Sequence, residues 1–452
     1  YKEEYLNPTK WTVNLKGRFL FSAFASPKLD LTYRWTIKSE KKRKGWAGLL
    51  GSRVYDRIII SNSPDLTLAD LPHLGTYSVT LEVFNSSSSS LGKMSENITL
   101  KDYLIVLIGD SMASGEGNPD RPGEANDEMI LSTTFLDIPY DCSSPKLIEK
   151  FADGQVFMNV SPIWLEPNAH RSERAGGALA AKELEDSSDK SSVTFVTFGT
   201  SGAELIKGLF SPQNSRQPKG QLDEVKDARQ VAKRDIDLLM VSIGGNDLGF
   251  SDMLKKAILE NVYNENIYSD ILTDLSILAE NLSAVRQKIN SELRTKKVLF
   301  FSYPTDLFSM DTKVIAGPFF NVTVSTSDCG LFNRETVDLL IRKKVLVDGV
   351  NPNEAKMFKQ LTEQLNATLA TNILKFNETD GDKWDFLGNV IPERFNGRGY
   401  CTSEGTTLFV YASDSCEQQG DLNGTMHPNA EGHRIYKEEI FKKMKSYFQI
   451  TP

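Results

Sequence analysis

Ser111 stands at the end of an apolar run, Tyr103 to Ile108, that passes through Gly109-Asp110 into the small-residue bend Met112-Ala-Ser-Gly-Glu-Gly117. A serine on a tight turn at the carboxyl end of a buried strand is placed for nucleophilic attack, provided a base and oxyanion donors accompany it. Two later stretches offer the donors. Gly199-Thr-Ser-Gly202 follows the apolar run 193–198, and a glycine lets its backbone N–H approach a ligand closely. Gly244-Gly-Asn246-Asp247 follows the run 236–243, and the Asn246 amide is a neutral donor suited to a developing negative charge.

The base comes from four histidines. His73 belongs to the N-terminal β region and is remote from the other candidates. His433, at the start of the last helix, reads as structural. His170, in Asn168-Ala-His-Arg-Ser172, either lines the pocket or leaves that role while Arg171 pairs with a nearby acid. His427, held in a loop by Pro428, is best placed to face a strand end, because a neutral imidazole can take the serine proton near neutral pH.

These residues need a scaffold that gathers strand ends. From Tyr103 onward, buried-strand runs at 103–108, 193–198, 236–243 and 297–302 alternate with helical stretches. The helices are expected at 172–186, 203–210, 219–234, 252–261, 268–295, 333–342, 353–375 and 430–448. That alternation predicts an α/β fold with a parallel sheet and helices on both faces. The long segment from Asn118 to Ser161 is expected to cover the site. Residues 1–101 instead alternate with period two at 19–24, 31–37 and 77–83, with Trp35 in mid-strand and Asn85 to Gly92 as a hairpin loop. They predict an all-β sandwich, an accessory module set before a catalytic domain at 102–452. The basic run Lys41 to Lys44 reads as a solvated loop.

Taken in order, Gly109-Asp-Ser111, Gly202, Gly244-Gly-Asn246-Asp247 and His427-Pro-Asn resemble the four blocks of the SGNH (GDSL-type) hydrolases. Ser114-Gly-Glu-Gly-Asn-Pro119 and His170-Arg-Ser172 are similar to the secreted bacterial esterase and lipase branch of that superfamily. The resemblance spans roughly residues 103 to 448. It implies a three-layer α/β/α, flavodoxin-like domain with Ser111 as nucleophile, His427 as base, and Gly202 and Asn246 as oxyanion donors. The region around Gly75-Thr-Tyr77 resembles the corner tyrosine of immunoglobulin-like sandwiches, most closely the PKD type. One departure stands out. The family usually carries an aspartate three residues before the histidine, and here that residue is Gly424. Asp421, Asp414 or a backbone carbonyl is left to orient the imidazole, the carbonyl being preferred.

Composition bounds the setting. The chain has 452 residues, 40% hydrophobic and 25% charged, enough for a sizeable core, and its net charge of −8 argues against nucleic-acid binding. No apolar run is long enough to cross a bilayer. Eight sequons, at Asn85, Asn97, Asn159, Asn281, Asn321, Asn366, Asn377 and Asn423, point to N-glycosylation in a secreted or lumenal protein. The even cysteine count agrees; the expected pairs are Cys401–Cys416 and Cys142–Cys329, the first closing a short loop worth roughly 3 kcal/mol. No metal-ligand spacing is present and no cofactor is expected. The expected partner is an ester, either a lipid or phospholipid or an O-acetylated glycan, with the sandwich binding a surface or polymer. Acyl transfer through the same acyl-enzyme and a catalytically inactive binding protein are the alternatives.

Overall fold

Unbroken runs of leucine and β-branched residues suit strands covered on both faces, and the segment that leads to Ser111 is one. In the computed structural model it ends the strand Ser90–Gly109, where Leu104 to Ile108 are fully buried. Each such side chain contributes about 1.5–3 kcal/mol through burial. The structure describes residues 4–6, 11–16, 30–41, 53–71, 75–125, 158–187, 191–213, 217–228, 231, 234–250, 253, 265–309, 312–317, 320–325, 352–402, 405–421 and 423–449.

Two units divide the chain: Asn7–Tyr103 with Glu185–Thr194, and Tyr1–Leu6 with Leu104–Leu184 and Phe195–Pro452. Strands are numbered along the chain, beginning with β1 (Glu4–Leu6), β2 (Trp11–Lys16), β3 (Thr32–Lys41), β4 (Arg53–Ser61), β5 (Asp65–Leu71), β6 (Gly75–Phe84) and β7 (Ser90–Gly109). In the first unit β3 pairs antiparallel with β4 and β6, and β6 pairs with the first half of β7. A separate antiparallel pair joins β2 and β5. Trp35, Ile37, Tyr77, Val79, Leu81 and Val83 recur every second residue and share one core with Leu71 of β5. The Asn85 side chain accepts from Ser87 and Ser89 N–H, which closes the hairpin between β6 and β7.

The second unit is mixed α/β with a mostly parallel sheet. Its further strands are β8 (Ser191–Thr197), β9 (Leu238–Ser242), β10 (Val298–Phe300) and β11 (Trp384–Phe386), in the order β11-β10-β9-β7-β8-β1. The steps β11-β10, β10-β9 and β9-β7 are parallel, while β1 is antiparallel to β8. Helices are α1 (Ser111–Ser114), α2 (Gly176–Asp186), α3 (Gln221–Asp227), α4 (Glu265–Glu292), α5 (Pro352–Asp380), α6 (Val390–Phe395), α7 (Ala412–Gln419) and α8 (Ala430–Phe448). Buried residues at helical spacing, such as Leu278, Leu282, Val285 and Ile289 in α4 and Phe358, Leu361, Leu365 and Leu369 in α5, let those two helices pack together. Among the described residues no helix is long and apolar enough to cross a membrane.

Several expectations change. Residues 203–210 are not helical: Gly202 and Gly208 have φ of +79° and +117°, and short bridges link Glu204 to Gly208 and Lys207 to Ser211. α3 is shorter than the predicted 219–234 helix and stops at Ala228, which has extended backbone. β11 was not anticipated, because three residues are too few to show a period. The predicted strand at 19–24, the predicted helix at 333–342, most of the 252–261 helix, His73, Cys142, Cys329 and residues 126–157 of the covering segment lie outside the described residues. Cys401 is disulfide-bonded; the side chain of Cys416 is not among those described.

The Asn366 sequon is corrected by its surroundings. Asn366 is 7% exposed, and its amide accepts from Tyr303 N–H at 2.9 Å and donates to Tyr303 carbonyl at 2.8 Å. A glycan has no path there. Asn377 likewise holds both backbone groups of Trp384. Asn97, Asn159 and Asn423 are exposed, Asn85 and Asn281 are half-buried, and the Asn321 side chain is not described.

Candidate active site

Gly109 explains how the strand turns sharply enough to present Ser111. Its φ is +135°, and a Cβ there would lie 1.9 Å from the Ser242 carbonyl oxygen of the adjacent strand, so no other residue fits. The buried Gln221 side chain clasps this peptide from both sides, accepting from Gly109 N–H at 2.7 Å and donating to its carbonyl at 2.8 Å. Asp110 caps α1 by accepting from Met112 N–H at 3.0 Å, and its own N–H donates to Ser242 carbonyl. Its other oxygen accepts from Tyr303 hydroxyl. Burial pushes the Asp110 carboxyl up to about 6; the Tyr303 and Ser242 hydroxyls and the Met112 and Ala113 N–H groups only partly offset this.

Ser111 is thus the first residue of a one-turn helix, 6% exposed, with its Oγ 2.7 Å from His427 Nε2. With the imidazole proton on Nδ1, the hydroxyl donates to Nε2. His427 is held by its backbone: its N–H donates to Gly424 carbonyl and its carbonyl accepts from Val410 N–H. Asn429 then caps α8, accepting from Glu431 and Gly432 N–H, while its amide donates to Thr407 carbonyl. The loop that carries His427 is therefore fixed at both ends.

The two oxyanion candidates lie on loops tied to the same turn. Thr200 N–H donates to Gly109 carbonyl, and a Cβ on Gly199 would meet the backbone of Ala113 and Ser114 at 2.9 Å. Asn246 opens a 3₁₀ turn after β9, and its amide donates to Ala203 carbonyl at 3.0 Å, next to Gly202. Gly245 N–H donates to Tyr303 hydroxyl, which bonds Asp110. Asp247 accepts from Leu205 N–H, and burial raises its carboxyl to about 7.

Arg171, expected to line the pocket or pair with an acid, is buried and donates to the carbonyls of Phe198 and Gly199 and to Thr200 hydroxyl. It braces the loop that carries Gly202. His170 has φ of +48°, stacks on Trp164 at 4.7 Å, and places Nδ1 2.8 Å from Glu116 Oε2. Asp421 does not turn to His427. It accepts from Asn423 N–H and lies 3.8 Å from His170 Nε2. Asp414 sits in the first turn of α7. His433 is buried between Gly176 N–H and Glu116 carbonyl, and burial lowers it to about 4.

Glu116 and Gln419 are absent from the sequence reading as functional residues. Glu116 is fully buried, and Gln419 joins it to the chain: its Nε2 donates to Glu116 Oε1 and its Oε1 accepts from Gly117 N–H, each at 2.8 Å. This explains the glycine three residues before His427. A Cβ on Gly424 would lie 2.7 Å from Gln419 Oε1, so the Gln419 amide fills the space an aspartate would need.

No protein-family model matches this sequence, and no curated protein matches it. Among solved structures, the chain is similar to an extracellular lipase from Streptomyces rimosus and to phospholipase A1 from Streptomyces albidoflavus NA297. Each is 16% identical with a TM-score of 0.41, over 76% of this chain and 99% of that one. An acetylxylan esterase from Geobacillus stearothermophilus is 10% identical with a TM-score of 0.30, over 76% and 94%.

Proposed function

We propose that this chain is a serine esterase of the SGNH type, hydrolysing carboxylic esters through an acyl-enzyme on Ser111. The observation that carries the reading is the 2.7 Å contact between Ser111 Oγ and His427 Nε2 at the carboxyl end of a buried parallel strand. His427 takes the Ser111 proton as Oγ attacks the ester carbonyl. The tetrahedral oxyanion is held by Ser111 N–H, Gly202 N–H and the Asn246 amide. Collapse expels the alcohol, which receives the proton from His427. Water, activated by the same imidazole, then releases the acid. Every step uses side chains and backbone of this chain.

The β unit is read as an immunoglobulin- or PKD-like sandwich that engages a surface or polymer. Exposed sequons at Asn97, Asn159 and Asn423 and the disulfide-bonded Cys401 favour a secreted glycoprotein, with Cys401–Cys416 and Cys142–Cys329 as the proposed pairs. Lipid or phospholipid esters and O-acetylated glycans are the two substrate classes. A series of p-nitrophenyl esters from acetyl to palmitoyl, run on the native protein and on Ser111→Ala, tests the activity and separates them. Activity confined to acetyl marks a deacetylase, and a maximum at longer chains marks a lipase. Hydrolysis retained in Ser111→Ala would sink the reading.

A further inference from the structure

We propose that Gln213 is a positioning residue for the oxyanion site, holding the Ser201–Gly202 peptide so that Gly202 N–H faces the reacting ester. The proposal rests on the reading of Ser111 as nucleophile and Gly202 as oxyanion donor. A backbone donor stabilises a developing oxyanion best when its direction is set before the reaction begins. The turn that carries Gly202 leaves the direction of one peptide open.

Ala203 N–H donates to Thr200 carbonyl at 3.1 Å, which closes a four-residue turn with Ser201 and Gly202 at its centre. Gly202 has φ of +79° and Ser201 is not left-handed, the pattern of a type II turn. Types I and II differ mainly by a half-rotation of the central peptide, here Ser201 carbonyl with Gly202 N–H. That rotation would turn an acceptor toward the oxyanion in place of a donor. The peptides on either side are anchored, Ser201 N–H donating to Ala169 carbonyl at 3.1 Å and Ala203 N–H closing the turn. The central peptide is held by Gln213, whose Nε2 donates to Ser201 carbonyl at 2.9 Å. In a trans peptide the carbonyl and the N–H point opposite ways, so fixing one fixes the other. Gly202 is exposed, and among the described residues its N–H has no acceptor.

The Gln213 amide has the orientation this task requires. Only its NH2 end can meet a carbonyl oxygen, so the bond to Ser201 also decides which way the amide lies. Gln213 Oε1 is then left buried with no donor among the described residues. A buried acceptor without a donor is unfavourable, so packing alone would favour an apolar side chain at this position. The amide also lies against Gly202 itself: a Cβ there would be 3.1 Å from Gln213 Nε2. Asn246, the side-chain donor, is tied to the same turn through Ala203 carbonyl at 3.0 Å. Gln213 and Asn246 therefore meet successive parts of one turn, the first directing its central peptide.

The test compares wild type with Gln213→Met, which keeps the length and loses the donor, and Gln213→Glu, which keeps the shape and cannot donate when ionised. Near neutral pH it reads kcat and KM on the best p-nitrophenyl ester, and the affinity for a trifluoromethyl ketone carrying the same acyl chain. Losing an oxyanion donor outright costs about 10²–10³-fold in kcat, so a misdirected one is expected to cost about tenfold. KM stays within about twofold, while the ketone, whose adduct with Ser111 carries the oxyanion, binds about tenfold more weakly. A kcat within about twofold of wild type, or a loss confined to KM, overturns the proposal. So does a fall in kcat with the ketone affinity unchanged, which marks a structural role. Thermal melts establish that each variant folds, and either variant alone decides should the other not fold. Fluorophosphonate labelling of wild type separates this proposal from the reading beneath it. Labelling at Ser111 with kcat unmoved in the variants removes only this proposal, whereas no labelling at Ser111 removes the esterase reading as well.

Discussion

The turn that carries Ser111 is flanked by two buried carboxyls that behave in opposite ways. Asp110, just before the serine, is surrounded by neutral donors and is pushed up to about 6. Glu116, five residues after it, is equally buried but bonds His170, and its pKa is lowered by that hydrogen bond and by the charges of His170 and His427. Burial is common to both, so the difference comes from the charge of the partners. The Asp110 side is architecture: it caps α1 and ties the turn to Tyr303 and to the Gly245 loop. On the Glu116 side the carboxylate meets His170 Nδ1 and Gln419 Nε2. Shape is set on one side of Ser111 and electrostatics on the other.

Variants on the two sides should therefore fail differently. The largest effect is expected from His427→Ala, a loss on the order of 10⁴-fold or more in kcat with an unchanged melt, measured on the best p-nitrophenyl ester. Gly109→Ala comes next and should fail on the structural side. With a Cβ 1.9 Å from the Ser242 oxygen and a φ of +135°, it should lose more than about 4 kcal/mol in urea unfolding. A folded, active Gly109→Ala would break the division of roles. Asn246→Ala should cut kcat by about 10²–10³-fold, roughly 2.7–4 kcal/mol, with little change in KM.

The smallest effect separates the two acids directly. Asp110 binds its proton more tightly folded than unfolded, so its contribution to stability falls as pH rises from about 4 to about 6, by at most about 1.4 kcal/mol per pH unit. Asp110→Asn should remove that decline from urea midpoints measured across the window. Glu116 has the opposite sign. Its lowered pKa gives stability that is present above its unfolded value of about 4.5 and is lost as pH falls below it. Stability of wild type relative to Glu116→Gln should therefore shrink below pH 4.5. Slopes of the same sign for both variants would contradict the comparison.

The sequence makes the strand ends legible because each signal is local. An apolar run followed by glycine and a polar residue marks Ser111, Gly202 and Asn246, and a histidine before proline and asparagine marks His427. The long amphipathic helices α4, α5 and α8 are legible for the same reason, their period repeating over many turns. What the sequence hides is long-range or too short to repeat. Gln419 meets Glu116 across 303 residues, and nothing near either of them announces the pairing. Glu116 was visible between two glycines beside the nucleophile, but its burial was not. The helix expected at 203–210 fails because two glycines at positive φ redirect a chain whose composition suits a helix. Asn366 shows the limit of a tripeptide signal, which carries no information about whether the asparagine faces solvent.

Whether Ser111 is the nucleophile is tested by labelling the native protein with a fluorophosphonate and mapping the adduct by tandem mass spectrometry. One adduct is expected, on Ser111, absent from Ser111→Ala and strongly slowed in His427→Ala. Stoichiometric labelling at another serine, or none in folded native protein across neutral pH, would contradict it.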